Sequence, residues 1–161
     1  MRAFSSTVTF VTLAIATGCS GTGGTTTAPD GSETVSLSVE HRTEWRQLWI
    51  QGTTDLPDGA FLNYSVTHEI AESSPPDEWP ATNLLESGRA TVKDGQFWST
   101  VNTFNWPNGN VRVIIQFPFP PQPPPIESRY GPLGEHLTGE NVTTVSGMKA
   151  VEVEHHFEHR R

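Results

Sequence analysis

From Val35 onward, apolar and polar side chains alternate with a period of two, and runs with a helical period are nearly absent. Such alternation marks strands that bury one face and leave the other wet. The first run sets Val35, Leu37, Val39 and His41 against Ser36, Ser38 and Glu40. The second turns Leu48 and Ile50 inward and Gln47, Trp49 and Gln51 outward; the third, 60–69, aligns Leu62, Tyr64 and Val66. Just before it, Leu56-Pro57-Asp58-Gly59 places proline and glycine where a tight turn favours them. Residues 90–99 read as a hairpin around Asp94-Gly95, with Lys93 opposite Gln96, Val92 opposite Phe97 and Thr91 opposite Trp98. After the turn Trp106-Pro107-Asn108-Gly109, a strand turns Val111, Val113, Ile115 and Phe117 inward. The last run, 148–157, sets Val151, Val153, His155 and Phe157 against Glu152, Glu154, His156 and Glu158.

Seven short strands joined by turns predict an all-β fold, a single antiparallel sandwich of immunoglobulin or fibronectin type. Two connections exceed simple turns: 70–84, with Ser73-Ser74-Pro75-Pro76, and 119–147, which opens in a proline run. Segments of that length in a compact domain are functional or disordered. In the second, Ile126, Tyr130, Leu133 and Leu137 recur every three to four residues. The spacing predicts a short helix starting after Pro125, with all four side chains packed on the sandwich.

Ahead of the domain the pattern changes. Arg2, a short apolar run ending in Leu13-Ala14-Ile15-Ala16, and then Thr17-Gly18-Cys19-Ser20 have the layout of a secretory signal. The run is too short and too rich in Ser and Thr for a membrane-spanning helix. The bare alternative is an ordinary secretory signal with an incidental cysteine. Because the site ends in Gly18-Cys19, it resembles the lipobox of bacterial lipoproteins, with Ala16 where leucine is commonest. That resemblance implies a diacylglyceryl thioether on Cys19, cleavage before it, and a protein anchored by lipid to a membrane on the extracytoplasmic side, facing periplasm or cell surface. At about 0.8 kcal/mol per buried CH₂, two or three acyl chains hold a domain durably. Residues 1–18 then form the signal peptide, 19–34 a flexible Gly/Thr/Ser tether, and 35–161 the sandwich.

Composition narrows the functional classes. Loss of residues 1–18 removes only Arg2, leaving 9 basic against 18 acidic residues and a net charge of −9. Scattered acidity argues against nucleic acid and against adhesion to anionic lipid headgroups. The single cysteine excludes an intramolecular disulfide. No nucleophile elbow, phosphate-binding glycine loop, HExxH or paired-cysteine zinc motif is present, so the sequence predicts a non-enzyme without a cofactor.

Two groups of residues carry binding chemistry. Five tryptophans are many for this length. Trp45 and Trp106 flank strand ends and are expected to cover the core. Trp49 and Trp98 fall on outward faces of strands that neighbour each other in an immunoglobulin-like order, where they either cover a bare sheet face or offer an aromatic patch to an envelope protein or glycan. His155, His156, Glu158 and His159 gather at the end of the last strand and are candidate Zn²⁺ or Cu²⁺ ligands, or else a solvated chain end. His41 and His68 read as strand-end residues. Finally, Gly52-Thr53-Thr54-Asp55-Leu56-Pro57-Asp58-Gly59 and the spaced Gln122-Pro123, Gly131, Gly134-Glu135, Leu137 and Gly139 resemble a pattern of uncharacterised bacterial secreted and lipoprotein sandwich domains. The resemblance implies the fold and brings no catalytic residues. The function predicted is a non-catalytic, lipid-anchored binding or scaffolding module of the cell envelope, with carbohydrate recognition or metal binding as alternatives.

Overall fold

The computed structural model describes residues 31–119 and 121–161, the side chain of Val145 excepted. The predicted signal peptide, Cys19 and most of the predicted tether lie outside them. Eight strands form in chain order: β1 (Glu40–Glu44), β2 (Gln47–Thr53), β3 (Phe61–His68), β4 (Leu85–Thr91), β5 (Gln96–Asn102), β6 (Gly109–Phe117), β7 (Val142–Val145) and β8 (Met148–His159). They build two antiparallel sheets, one ordered β1-β2-β5 and the other β4-β3-β6-β8-β7. The predicted all-β architecture is thus present. Its core is the set of inward residues read from the alternation: Leu48, Ile50, Leu62, Val66, Val113, Ile115 and Phe117 are all buried. Each such side chain contributes about 1.5–3 kcal/mol on leaving water.

The Asp94-Gly95 turn forms, but its strands do not stay together. Lys93 and Gln96 exchange backbone hydrogen bonds of 2.9 and 3.0 Å, with Asp94 at φ 53° and Gly95 at φ 71°. Beyond that pair the chain splits: Thr91 pairs with Phe61 of β3, and Trp98 with Gln51 of β2. The expected Val92–Phe97 and Thr91–Trp98 pairs are therefore not made. Each arm gains a seven-residue ladder with another strand, which outweighs the few bonds a small hairpin offers. Val92 and Phe97 are still both buried, so the turn is a corner between sheets.

The entry to the domain also differs from expectation. Regular strand begins at Glu40; Val35, Leu37 and Val39 sit half-buried on an irregular lead-in tied to β2 through Ser38 N–H to Thr53 O at 2.9 Å. Packing starts earlier than residue 35. Glu33, only 3% exposed, meets Arg129 at 2.9 Å, and its backbone bonds His136 O and Thr138 N–H at 2.8 and 2.9 Å. The last predicted tether residues therefore belong to the domain, because His136 and Thr138 offer them backbone partners and Arg129 a cation.

Both long connections are structured. The first holds helix α1 (Glu69–Ser73), capped by the His68 side chain, and a 3-10 turn at Pro76–Glu78, neither of them expected. The second holds helix α2 (Pro124–Tyr130), which begins on prolines that fix φ and ends where Gly131 takes φ 83°. Ile126, Tyr130 and Leu137 are buried as predicted. Leu133 is not: it is 45% exposed, its backbone oxygen accepting from Lys149 N–H, since it lies past the helix in a turn. The same connection contains β7, which pairs with β8 through a Ser146-Gly147 turn. No described helix is long and apolar enough to cross a membrane.

Candidate functional site

Trp49 and Trp98 share the outer face of the three-stranded sheet. Trp49 lies opposite Thr100 and Trp98 opposite Gln51, so the indoles are diagonal neighbours on adjacent strands. Trp98 is 53% exposed. Trp49 is half-buried, with the Arg42 guanidinium 5.1 Å from its ring centroid. Arg42 is held in turn by Glu44 at 3.0 Å. Beside them Gln51 Nε2 donates to Glu40 Oε1 at 2.7 Å. Together Glu40, Arg42, Trp49, Gln51, Gln96 and Trp98 border a shallow groove of about 320 Å³. The Trp49 indole N–H is buried at its side without a partner among the described residues.

The C-terminal histidines do not converge. Alternation along β8 divides them: His155 and His159 point inward, while His156 and Glu158 point outward. His155 Nε2 lies 2.8 Å from His41 Nδ1 across the two sheets, and His41 stacks on Phe157 at 3.7 Å and 13°. Burial, and then the neighbouring His155, hold the His41 imidazole below its ordinary pKa. His156 is 3.0 Å from Glu154, and Glu158 is held by Arg160 at 2.6 Å. Among the described residues no group of three or more His, Cys, Asp or Glu side chains comes together to hold a metal. The proposed set His155, His156, Glu158 and His159 fails because consecutive strand residues face opposite ways.

Sequence reasoning missed a second concavity at one end of the molecule. Trp45, expected over the core, is 80% exposed, because it occupies the two-residue turn between β1 and β2. Arg46 follows at φ 66° and puts its guanidinium 3.6 Å from the Trp45 ring centroid and 4.1 Å from that of Phe104. These residues, with Thr103, His159 and Arg161, line a cleft of about 450 Å³. His159 meets Trp106 edge-on, and Trp106 is buried as predicted, donates to Asn83 at 3.1 Å and also meets His68 edge-on. His68 Nδ1 accepts from Ile70 N–H at 3.2 Å, so its proton sits on Nε2 and points at Pro107 O, 3.3 Å away. His159 is held below its ordinary pKa, chiefly by burial and then by His68 and Arg161. A tryptophan-arginine pair in a two-residue turn is a readable signal of exposed aromatic surface. The contribution of Phe104 and His159, distant in sequence, is not readable.

No family model, curated protein or solved structure matches the chain.

Proposed function

We propose that this chain is a non-catalytic binding module, held at the outer side of a bacterial membrane by lipid on Cys19, that recognises glycan through the outer face of its three-stranded sheet. The observation that carries the reading is the groove shared by Trp49 and Trp98. An exposed indole gives an apolar platform for the C–H face of a sugar ring. The flat amide, carboxylate and guanidinium groups of Gln51, Gln96, Glu40 and Arg42 border it and match ring hydroxyls, the arrangement of a few placed polar groups around an apolar floor. The acidic surface suits a domain that stands off anionic lipid on a tether.

The finer fold assignment belongs to the same proposal. Strands β1, β2 and β5 take the places of A, B and E in an immunoglobulin or fibronectin-type sandwich, and β4, β3, β6 and β8 those of C′, C, F and G. β7 is then an added strand on the G edge. The order of neighbours supports this, as does the corner made by the Asp94-Gly95 turn.

Affinity electrophoresis of the mature protein in gels carrying neutral envelope polysaccharides tests the binding claim. Retardation that is lost in Trp98→Ala, with an unchanged melting temperature, supports it. Equal mobility of both proteins across the polysaccharides, or retardation that Trp98→Ala leaves intact, refutes it.

A further inference from the structure

The end cleft carries three polar atoms that nothing in the fold explains. His159 is 3% exposed, and neither ring nitrogen has a hydrogen-bond partner among the described residues; the buried Thr103 hydroxyl has none either. Both residues line the cleft. Buried polar groups are nearly always paired, because an orphan forfeits its hydration without a replacement. Three of them in one concavity point to a molecule that completes them.

The chemistry of the walls says what kind. The Arg46 guanidinium carbon lies over the Trp45 and Phe104 rings, and no carboxylate of the described residues pairs with it. Stacking of this kind occupies the faces of a guanidinium and leaves its edge N–H groups in the plane, the fork that takes a carboxylate in two parallel bonds. Thr103 is tied to the same turn, its N–H donating to Arg46 O at 2.9 Å, so hydroxyl and guanidinium are held on one frame. The nearby acid is already engaged: Glu44 pairs with Arg42. Arg161 is anchored through Nε to Trp106 O at 2.6 Å and adds positive charge to a protein that is otherwise strongly acidic. Trp45 and Phe104, both more than half exposed, supply apolar surface that no other part of the fold covers.

We infer that this cleft binds a small organic carboxylate: its anionic group on the Arg46 fork, its apolar face along Trp45 and Phe104, and a polar substituent reaching Thr103 and His159. A neutral imidazole offers one donor and one acceptor, and the hydroxyl offers both, so the inner end suits a hydroxyl or amide rather than a second anion. The volume, about 450 Å³, admits a ligand of one or two rings. The site lies at the end of the molecule and shares no lining residue with the Trp49–Trp98 groove.

Two carboxylate sources share this chemistry, acidic sugars and aryl acids, and titration of the full mature protein with glucuronate, with 4-hydroxybenzoate and with inorganic phosphate separates them. Saturable binding of either carboxylate, with a Kd of about a millimolar or tighter, supports the inference, and the tighter one identifies the source. Arg46→Gln should weaken it roughly tenfold or more, on the order of one charge-assisted hydrogen bond, and Phe104→Ser roughly tenfold through lost apolar contact, both at exposed positions, while Trp98→Ala leaves it unchanged. Phosphate binding as tightly as the carboxylates, binding indifferent to Arg46→Gln, or no saturable binding of either carboxylate overturns it. Retention by neutral polysaccharide tests the groove alone, so either site can fail without the other.

Discussion

Tyr130 ends α2 and is fully buried, its ring edge-on to Phe117 at 5.0 Å and 85°. Its hydroxyl is buried with no partner among the described residues, and its pKa is pushed up to about 12, chiefly by burial. Two substitutions separate these contributions. Tyr130→Ala removes the whole ring from a packed position and should cost about 3–5 kcal/mol, the range for deleting a buried aromatic. Tyr130→Phe keeps the ring and removes only the orphaned hydroxyl, so it should be neutral or stabilise by about 1 kcal/mol. Leu137→Ala, also fully buried, should cost about 2–5 kcal/mol, whereas Leu133→Ala, at a half-exposed side chain, should stay within about 1 kcal/mol. Urea unfolding followed by tryptophan fluorescence measures all four. A cost below about 1 kcal/mol for Tyr130→Ala, or Leu133→Ala more damaging than Leu137→Ala, would show that the 119–147 connection is not packed as described.

Other outcomes follow from the same structure. Gly95→Val forces a β-branched residue to φ 71° and should cost about 1–2 kcal/mol; an unchanged melting temperature contradicts the two-residue corner. His41 and His159 both have folded pKa values below the ordinary 6.5, so the unfolded chain binds more protons at acid pH. Their contribution is therefore complete above about pH 6.5 and is lost as pH falls from there toward the folded values. Melting temperatures from pH 7.5 to 5 should fall more for the native protein than for the His41→Gln, His159→Gln double variant, and parallel curves refute the assignment. Cys19→Ala should leave unprocessed or shed protein, read by fractionation and mass spectrometry; a mature lipid-modified species in that variant would rule out the anchor.

Local periodicity made the sheets legible. Every inward residue read along β2, β3 and β6 is buried, because a period of two assigns faces without knowledge of partners. Partner choice was less legible. Asp94-Gly95 signals its turn locally, whereas its arms pair with β3 and β2 and not with each other, since ladder length depends on strands far away in sequence. β7 lies inside the 119–147 connection, where Ser146-Gly147 between Val142–Val145 and Met148 is a turn signal of the same kind. For the sites, alternation put Trp49 and Trp98 on one face, and the register brings them to one groove. Along 155–159 the same alternation already sets His155 against His156 and Glu158, and His159 falls on the His155 face. The end cleft joins Trp45, Phe104 and His159 from three distant segments, which no local pattern contains.

The claim that the three-stranded sheet is a glycan-binding face is tested most directly by NMR, with ¹⁵N-labelled indoles titrated against neutral oligosaccharides released from bacterial envelope polysaccharide. The Trp98 and Trp49 Nε1–H signals should shift saturably, with Trp45 and Trp106 unmoved, and Trp49 should not shift in the Trp98→Ala protein. Stationary Trp49 and Trp98 signals throughout the titration, or shifts confined to Trp45, would contradict it.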